Sequence, residues 1–153
     1  VGERVELAGL FSDLVRLETD LWNAVDARLR SDFDLPLTWF EPMDIIDRTS
    51  PCRVFDIATA LSITVGGTSK LIDRIEGAGF CRRLSNPADR RSSLIELTQP
   101  GRRLLVKAAR SLDDELQARL GSAVSHRQLE QLQATLTKLR SANADDHSRL
   151  TTA

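Results

Sequence analysis

The sequence predicts a mainly α-helical chain with one small β-hairpin, a compact middle segment being flanked by long helices. Three observations carry this. Apolar residues recur at steps of three and four on both sides of residues 38–97. Within that segment, a short amphipathic run, a tight turn and a longer amphipathic run follow one another. Directly after Gly79 the period becomes strand-like on either side of Ser85-Asn86-Pro87-Ala88-Asp89.

The first helix is read over residues 5–30, from Leu7, Leu10, Phe11, Leu14, Val15, Leu17, Leu21, Trp22, Val25 and Leu29 with charged residues between them. At ~1.5 Å per residue it is long for a monomer of 153 residues. Part of its stripe is therefore expected to pack on another chain. Residues 31–37 break the pattern. Thr38 is then expected to open a second helix through a capping box with Glu41, with Pro42 in the first turn and Met43 and Ile46 facing inward.

Phe55–Leu61 reads as a short helix with Ile57, Ala58 and Leu61 inward, and Ser62-Ile63 as a turn. Thr64 caps the next helix, which runs to Gly77 and buries Leu71, Ile72 and Ile75; Gly79 provides a left-handed stop. This is helix-turn-helix spacing. The strands 80–84 and 92–97 form a hairpin behind it, so the unit reads as a winged helix-turn-helix. Thr98 opens a further long helix with Pro100 in its first turn, Gly121 interrupts it, and Ser125 with Gln128 starts the last helix, striped by Leu129, Leu132, Leu136 and Leu139.

Length and composition fit one ordinary domain: 41% hydrophobic, 28% charged, with two cysteines, excluding a disordered, collagen-like or disulfide-stapled chain. No apolar run reaches the ~20 residues of a membrane span, and the first residues do not resemble a signal peptide. The expectation is a soluble, cytoplasmic chain with no membrane partner. The net charge of −1 conceals an asymmetry. Residues 1–69 carry 6 basic and 12 acidic side chains, residues 70–110 carry 10 and 4, and residues 111–153 carry 5 and 6. A polyanion senses the local field, because screening removes exposed charges beyond ~8–10 Å. The positive middle segment therefore points to nucleic acid.

The candidate interface is built on that segment. The N-terminal end of the second helix of the pair carries Thr64, unpaired N–H groups and the positive end of the dipole, which suit a phosphate. Val65, Gly66, Ser69, Lys70 and Asp73 are exposed if Leu71, Ile72 and Ile75 face in. Ser69 and Lys70 are expected at major-groove edges, Val65 at a thymine methyl and Arg74 on a phosphate. Gly66 and Gly67 have two readings, close approach to DNA or packing against the preceding helix. At the wing tip, one of Arg90 and Arg91 is expected in a minor groove while Asp89 holds the other in a fork. Arg82 and Arg83 are expected on phosphates. A charged face that is merely solvated is the competing reading, equally good for Arg102, Arg103, Lys107 and Arg110.

The run Asp56-Ile57-Ala58, then Leu61-Ser62-Ile63-Thr64 through Ser69-Lys70-Leu71-Ile72-Asp73-Arg74-Ile75-Glu76 to Gly79-Phe80, resembles the MarR family of winged-helix transcriptional regulators. The resemblance continues through Asn86-Pro87-Ala88-Asp89-Arg90-Arg91 and Leu97-Thr98-Gln99-Pro100-Gly101-Arg102, with specific motifs over residues 38–102. It implies an obligate homodimer in which residues 1–37 and 98–153 form the helical dimerisation region around the 38–97 winged unit, a single intertwined assembly. Leu7, Leu10, Trp22, Leu129, Leu132 and Leu136 are the expected interface residues. It further implies a repressor on a double-stranded pseudopalindromic operator, released by a small aromatic or phenolic effector. Arg91 resembles the wing arginine of the minor groove, Asp89 the carboxylate that orients it, and Ser69, Lys70 and Arg74 the recognition-helix contacts. Three residues depart from the pattern: Val65 at a usually polar position, Thr68 at a usual valine, and Phe55 at a usual polar cap, so that Phe55 is expected to hold the helix entry by apolar contact. Cys52-Arg53-Val54 matches a short first strand.

An effector cavity is expected near Phe11, Leu14, Trp39 and Phe40, with ordinary core packing as the alternative for each. The oxidant-sensing branch carries a cysteine near the start of the first long helix, where this chain has none; Cys52 and Cys81 are read as core residues or, alternatively, redox-active thiols. The cysteines and the two histidines lack the spacing of a zinc site, so no metal or other cofactor is expected. No nucleophile constellation or phosphate-binding glycine loop indicates an enzyme. The remaining alternative is a winged-helix protein acting mainly through protein partners.

Overall fold

The computed structural model describes residues 6–150, the side chains of 144–150 lying outside the described residues. The chain divides into two compact units, residues 1–115 and residues 116–153.

In the first unit, α1 (Leu7–Phe33) precedes α2 (Leu37–Arg48). Helix α1 ends where Asp34 turns left-handed (φ 53°) and donates its N–H to the Arg30 carbonyl at 2.9 Å, while Leu35 donates to Leu29 and is fully buried. Asp26 Oδ1 accepts the Leu37 N–H at 2.8 Å, fastening the start of α2 to the side of α1. The expected Thr38–Glu41 capping box is not formed. The cap falls two residues earlier, at Pro36, and the helix starts at Leu37, because Pro36 is extended and the Asp26 carboxylate already satisfies the first N–H. Pro42 accordingly lies inside the helix, beyond its first turn, and is buried.

Strand β1 (Cys52–Arg53) leads into α3 (Val54–Leu61), and α4 (Val65–Gly77) follows. The entry to α3 is not apolar. Phe55 is 61% exposed, and Asp56 accepts the Arg53 N–H at 2.8 Å while gripping the Arg53 guanidinium. A polar cap therefore exists one residue beyond the position the sequence pattern suggested. Left-handed Ser62 (φ 54°) ends α3. Thr64 caps α4 by accepting the Gly67 N–H at 3.1 Å. Ile72, Ile75 and Thr68 are buried on α4 against Ile57 and Ala58 of the core; Leu71 and Leu61 are half-buried. The Thr68 hydroxyl donates to the Thr64 carbonyl at 2.9 Å, which is how a hydroxyl is accommodated at a buried position.

Strands β2 (Cys81–Ser85) and β3 (Ser93–Leu97) pair antiparallel, and β1 pairs on the other side of β3, giving the order β1-β3-β2. Ile95 faces Cys52 on one side and Arg83 on the other. Helix α5 (Gln99–Leu116) begins at a dense junction. Thr98 donates its hydroxyl to the Gly79 carbonyl at 2.6 Å and its N–H to the Phe80 carbonyl at 3.0 Å, and accepts the Gly101 N–H at 3.1 Å. A Cβ on Gly101 would lie 2.0 Å from the Phe80 carbonyl oxygen, so only glycine permits this approach. Farther along, buried Ser111 donates to Asp32 at 2.6 Å, tying α5 to α1, and Arg28 joins the same carboxylate at 2.7 Å.

The second unit contains a π-turn over Gln117–Gly121 and α6 (His126–Leu150). The Ser125–Gln128 capping box forms as expected, with Ser125 N–H donating to Gln128 Oε1 at 2.9 Å.

Candidate nucleic-acid interface

Helix α4 presents Val65, Gly66, Lys70, Asp73 and Arg74 to solvent, with Ser69 half-buried. Its face follows from Thr68, Ile72 and Ile75 being drawn into the core at helical spacing. A Cβ on Gly66 would touch nothing within 4 Å, so this glycine does not serve packing against α3 within the protein; a Cβ on Gly67 would crowd the Thr64 hydroxyl at 3.1 Å.

The wing tip is held by its own backbone. Asn86 accepts the Ala88 N–H at 3.0 Å and donates to the Ser92 hydroxyl at 2.8 Å. Asp89 Oδ1 accepts the Arg91 N–H at 3.0 Å. Asp89 thus orients the turn through an amide, and among the described residues no guanidinium forks onto it; the short span from Asp89 to Arg91 favours the local N–H.

The basic residues fall into two groups. Lys70, Arg74, Arg90 and Arg91 are exposed and have no ion-pair partner among the described residues. Arg82 and Arg83 are engaged: Arg82 pairs with its cross-strand neighbour Glu96, and Arg83 bridges Glu76 at 2.6 Å and Asp73 at 2.7 Å. The sequence pattern does not indicate the Arg83 bridge, although Asp73, Glu76 and Arg83 share a sequence neighbourhood. The turn after α4, where Gly79 donates its N–H to the Glu76 carbonyl and Phe80 donates to that of Ile75, brings β2 back alongside α4.

The remaining candidate residues are scattered. Leu7, Leu10, Phe11 and Leu14 stand exposed on the first half of α1, and Trp22 is half-buried. Trp39 and Phe40 are half-buried on α2. In the second unit Leu132 and Leu136 are exposed and Leu129 half-buried. Burial pushes the thiols of Cys52 and Cys81 up to about 11, with Asp56 and Glu76 respectively adding to the shift. Thiolate is scarce at such sites near neutral pH, the reverse of what a reactive cysteine needs. Among the described residues no helix is long and apolar enough to cross a membrane, and no group of three or more metal-ligating side chains forms.

A short helix, a turn, a solvent-facing second helix and a three-stranded wing bearing unpaired arginines define a winged helix-turn-helix protein. Residues 35–93 match the MarR family. It is 30% identical over 71 residues to the multiple antibiotic resistance protein MarR of Salmonella typhimurium, a stretch covering 46% of this chain and 49% of that protein. The chain spans about half the length of the curated relatives it matches. Among solved structures, the MarR-family regulator Sco3205 of Streptomyces coelicolor, in complex with DNA, superposes with a TM-score of 0.81 at 18% identity, covering 93% of this chain and 91% of its own. The repressor CouR on a 23-mer DNA duplex gives 0.78 at 22% identity over 90% of this chain and 99% of its own. CouR of Rhodococcus jostii RHA1 has also been solved with p-coumaroyl-CoA. At these identities the structures establish the shared fold.

Proposed function

We propose that this chain is a double-stranded DNA-binding transcriptional regulator, a homodimeric repressor on a pseudopalindromic operator. The observation that carries the reading is that Lys70 and Arg74 on α4 and Arg90 and Arg91 on the wing are all exposed without an ion-pair partner among the described residues, while most carboxylates around them are already paired. Cations left unneutralised on a recognition helix and an adjoining hairpin can replace the counterions of a duplex. Helix α4 lies in the major groove, with Ser69, Lys70 and Val65 at base edges, Arg74 on a phosphate, and the Thr64–Gly66 end against the backbone. Arg91 enters the minor groove, Asp89 holds its backbone, and Arg90 supports the contact. The DNA complexes of Sco3205 and CouR support this reading.

The homodimer is supported by the apolar side chains left uncovered on α1, Leu7 and Leu10 among them, and separately by Leu132 and Leu136 on α6. Trp22 and Leu129 complete the assigned interface. Residues 1–37 and 98–153 thus serve dimerisation and residues 38–97 serve DNA. The effector is a small aromatic or phenolic compound held near Phe11, Leu14, Trp39 and Phe40. The exposed Phe11 ring and the p-coumaroyl-CoA complex of CouR support that chemistry.

The test is selection of bound duplexes from a random or genomic DNA pool, followed by protection mapping. Two half-sites whose centres lie about one helical turn apart are expected, with affinity falling steeply as salt rises. Arg91→Ala is expected to weaken specific binding about tenfold or more, in line with the ~1–3 kcal/mol of a lost groove contact. Absence of any enriched sequence, or salt-insensitive binding untouched by Arg91→Ala, would overturn the reading in favour of a protein-interaction role.

A further inference from the structure

One guanidinium fastens the wing to the recognition helix. Arg83 Nη1 lies 2.6 Å from Glu76 Oε2 and Nη2 lies 2.7 Å from Asp73 Oδ1. The Arg83 N–H donates to Glu76 Oε1 at 2.8 Å, so both the backbone and the side chain of β2 are held by the same carboxylate. Nη2 also reaches the carbonyl and hydroxyl oxygens of Ser69, each at 3.4 Å. Ser69, Asp73 and Glu76 stand one turn apart along one side of α4, the side that flanks its exposed face. A planar fork can meet two carboxylates in fixed directions, which a lysine ammonium cannot.

Charge and exposure separate Arg83 from the other arginines of the wing. Its side chain is 24% exposed, against 62% for Arg82. One cation held between two carboxylates leaves the cluster with net negative charge, an unfavourable place for a phosphate.

We infer that Arg83 is a positioning residue for base reading: it fixes the Ser69 side of α4 against the wing and contacts no phosphate. The inference rests on the DNA-binding reading proposed above and replaces the phosphate role expected of Arg83 from sequence.

Arg83→Lys, Glu76→Gln and, as reference, Arg91→Ala are compared with the wild-type full chain. The probes are one duplex recovered by selection with the wild-type chain and a scrambled duplex of equal length. Dissociation constants are measured across a salt series, with thermal unfolding as a folding control. A lost phosphate contact lowers the slope of log affinity against log salt by about 0.9 per protomer; a lost positioning contact does not. Arg83→Lys is expected to keep the wild-type slope and lose roughly tenfold in discrimination between the duplexes, about the cost of one mismatched base pair. Glu76→Gln is expected to lose discrimination likewise, although removing a negative charge should strengthen phosphate attraction. Wild-type discrimination in Glu76→Gln, or uniform tightening on both duplexes, would overturn the inference. A charge-conserving Arg83→Lys that lowers the slope would do the same. If the wild-type chain itself fails to prefer any selected duplex, the DNA-binding reading falls first and this inference with it; if it discriminates and responds to Arg91→Ala while Arg83→Lys and Glu76→Gln retain wild-type discrimination, this inference alone fails.

Discussion

Arg83 and Arg91 belong to one hairpin and carry the same guanidinium, yet the fold assigns them opposite surroundings. Arg91 stands at an exposed tip with only its backbone engaged by Asp89, whereas Arg83 is drawn between Asp73 and Glu76. Burial works against the charge on Arg83, but the hydrogen bond it donates to Glu76 and the field of Asp73 outweigh it and hold the guanidinium more firmly charged than usual. A cation committed in this way acts through geometry and a cation left uncommitted acts through charge. Gly66 makes a similar point without charge. Its missing Cβ faces open space, so Gly66→Ala meets no obstacle in the protein. That substitution is expected to raise stability by about 0.4–1 kcal/mol, through the smaller entropy of the unfolded chain, while weakening duplex binding. Parallel denaturant titrations and DNA titrations would show the two effects moving in opposite directions. A stability gain with unchanged binding would remove Gly66 from the interface.

Between elements, the connection from α4 through Gly79 and Phe80 to Thr98 and α5 is the most constrained place in the first unit. Gly79 adopts φ 82°, Thr98 ties three backbone groups together, and Gly101 leaves no room for a methyl against the Phe80 carbonyl. The wing is therefore anchored at both ends, by Arg83 to α4 and by Thr98 to the chain that enters and leaves the sheet. Gly101→Ala is expected to destabilise the fold by about 1–3 kcal/mol, since the clash is with backbone that must shift as a unit. Chemical denaturation of the purified variant checks this, and an unchanged midpoint would show that the junction is softer than its contacts indicate. Here the sequence was legible for a physical reason: Thr98, Gly79 and the Ser125–Gln128 pair each satisfy helix-terminal groups from a few residues away. The Thr38 box gives way because Asp26 reaches the Leu37 N–H across the α1–α2 turn, whereas the Phe55 entry is polar because Asp56 closes a local box with Arg53.

For the molecule as a whole, stability at the acid end is tied to a few carboxylates that act as struts. Burial opposes the charge of Asp26, but the Leu37 N–H and Arg30 prevail and hold its carboxyl below the usual range. Ser111 and then Arg28 lower Asp32, and Arg53 lowers Asp56. Each folded-state pKa lies below the unfolded value near 4. The stability they contribute is complete above that value and is lost as pH falls through the folded values. Unfolding free energy measured from pH 7 downward is expected to hold until about pH 4–5 and then drop, with a shallower drop in Asp26→Asn. At the alkaline end the signs reverse: Cys52 and Cys81 ionise near 9 when unfolded but near 11 when folded, so their contribution fades as pH rises through that interval.

Neighbouring residues suffice to specify the helices, the turn and the wing, and with them the surface on which a duplex is proposed to lie. Helical and strand periods, capping hydroxyls and turn residues act over a few positions and are written in neighbouring letters. Tertiary structure decided which cations remain available. Whether an arginine meets a carboxylate depends on how β2 returns beside α4 and how β3 aligns with it, contacts between residues whose sequence separation carries no such instruction. Local chemistry therefore laid out the candidate surface, and packing divided its arginines between those that face solvent unpaired and those drawn to carboxylates, Arg82 to Glu96 and Arg83 to Asp73 and Glu76.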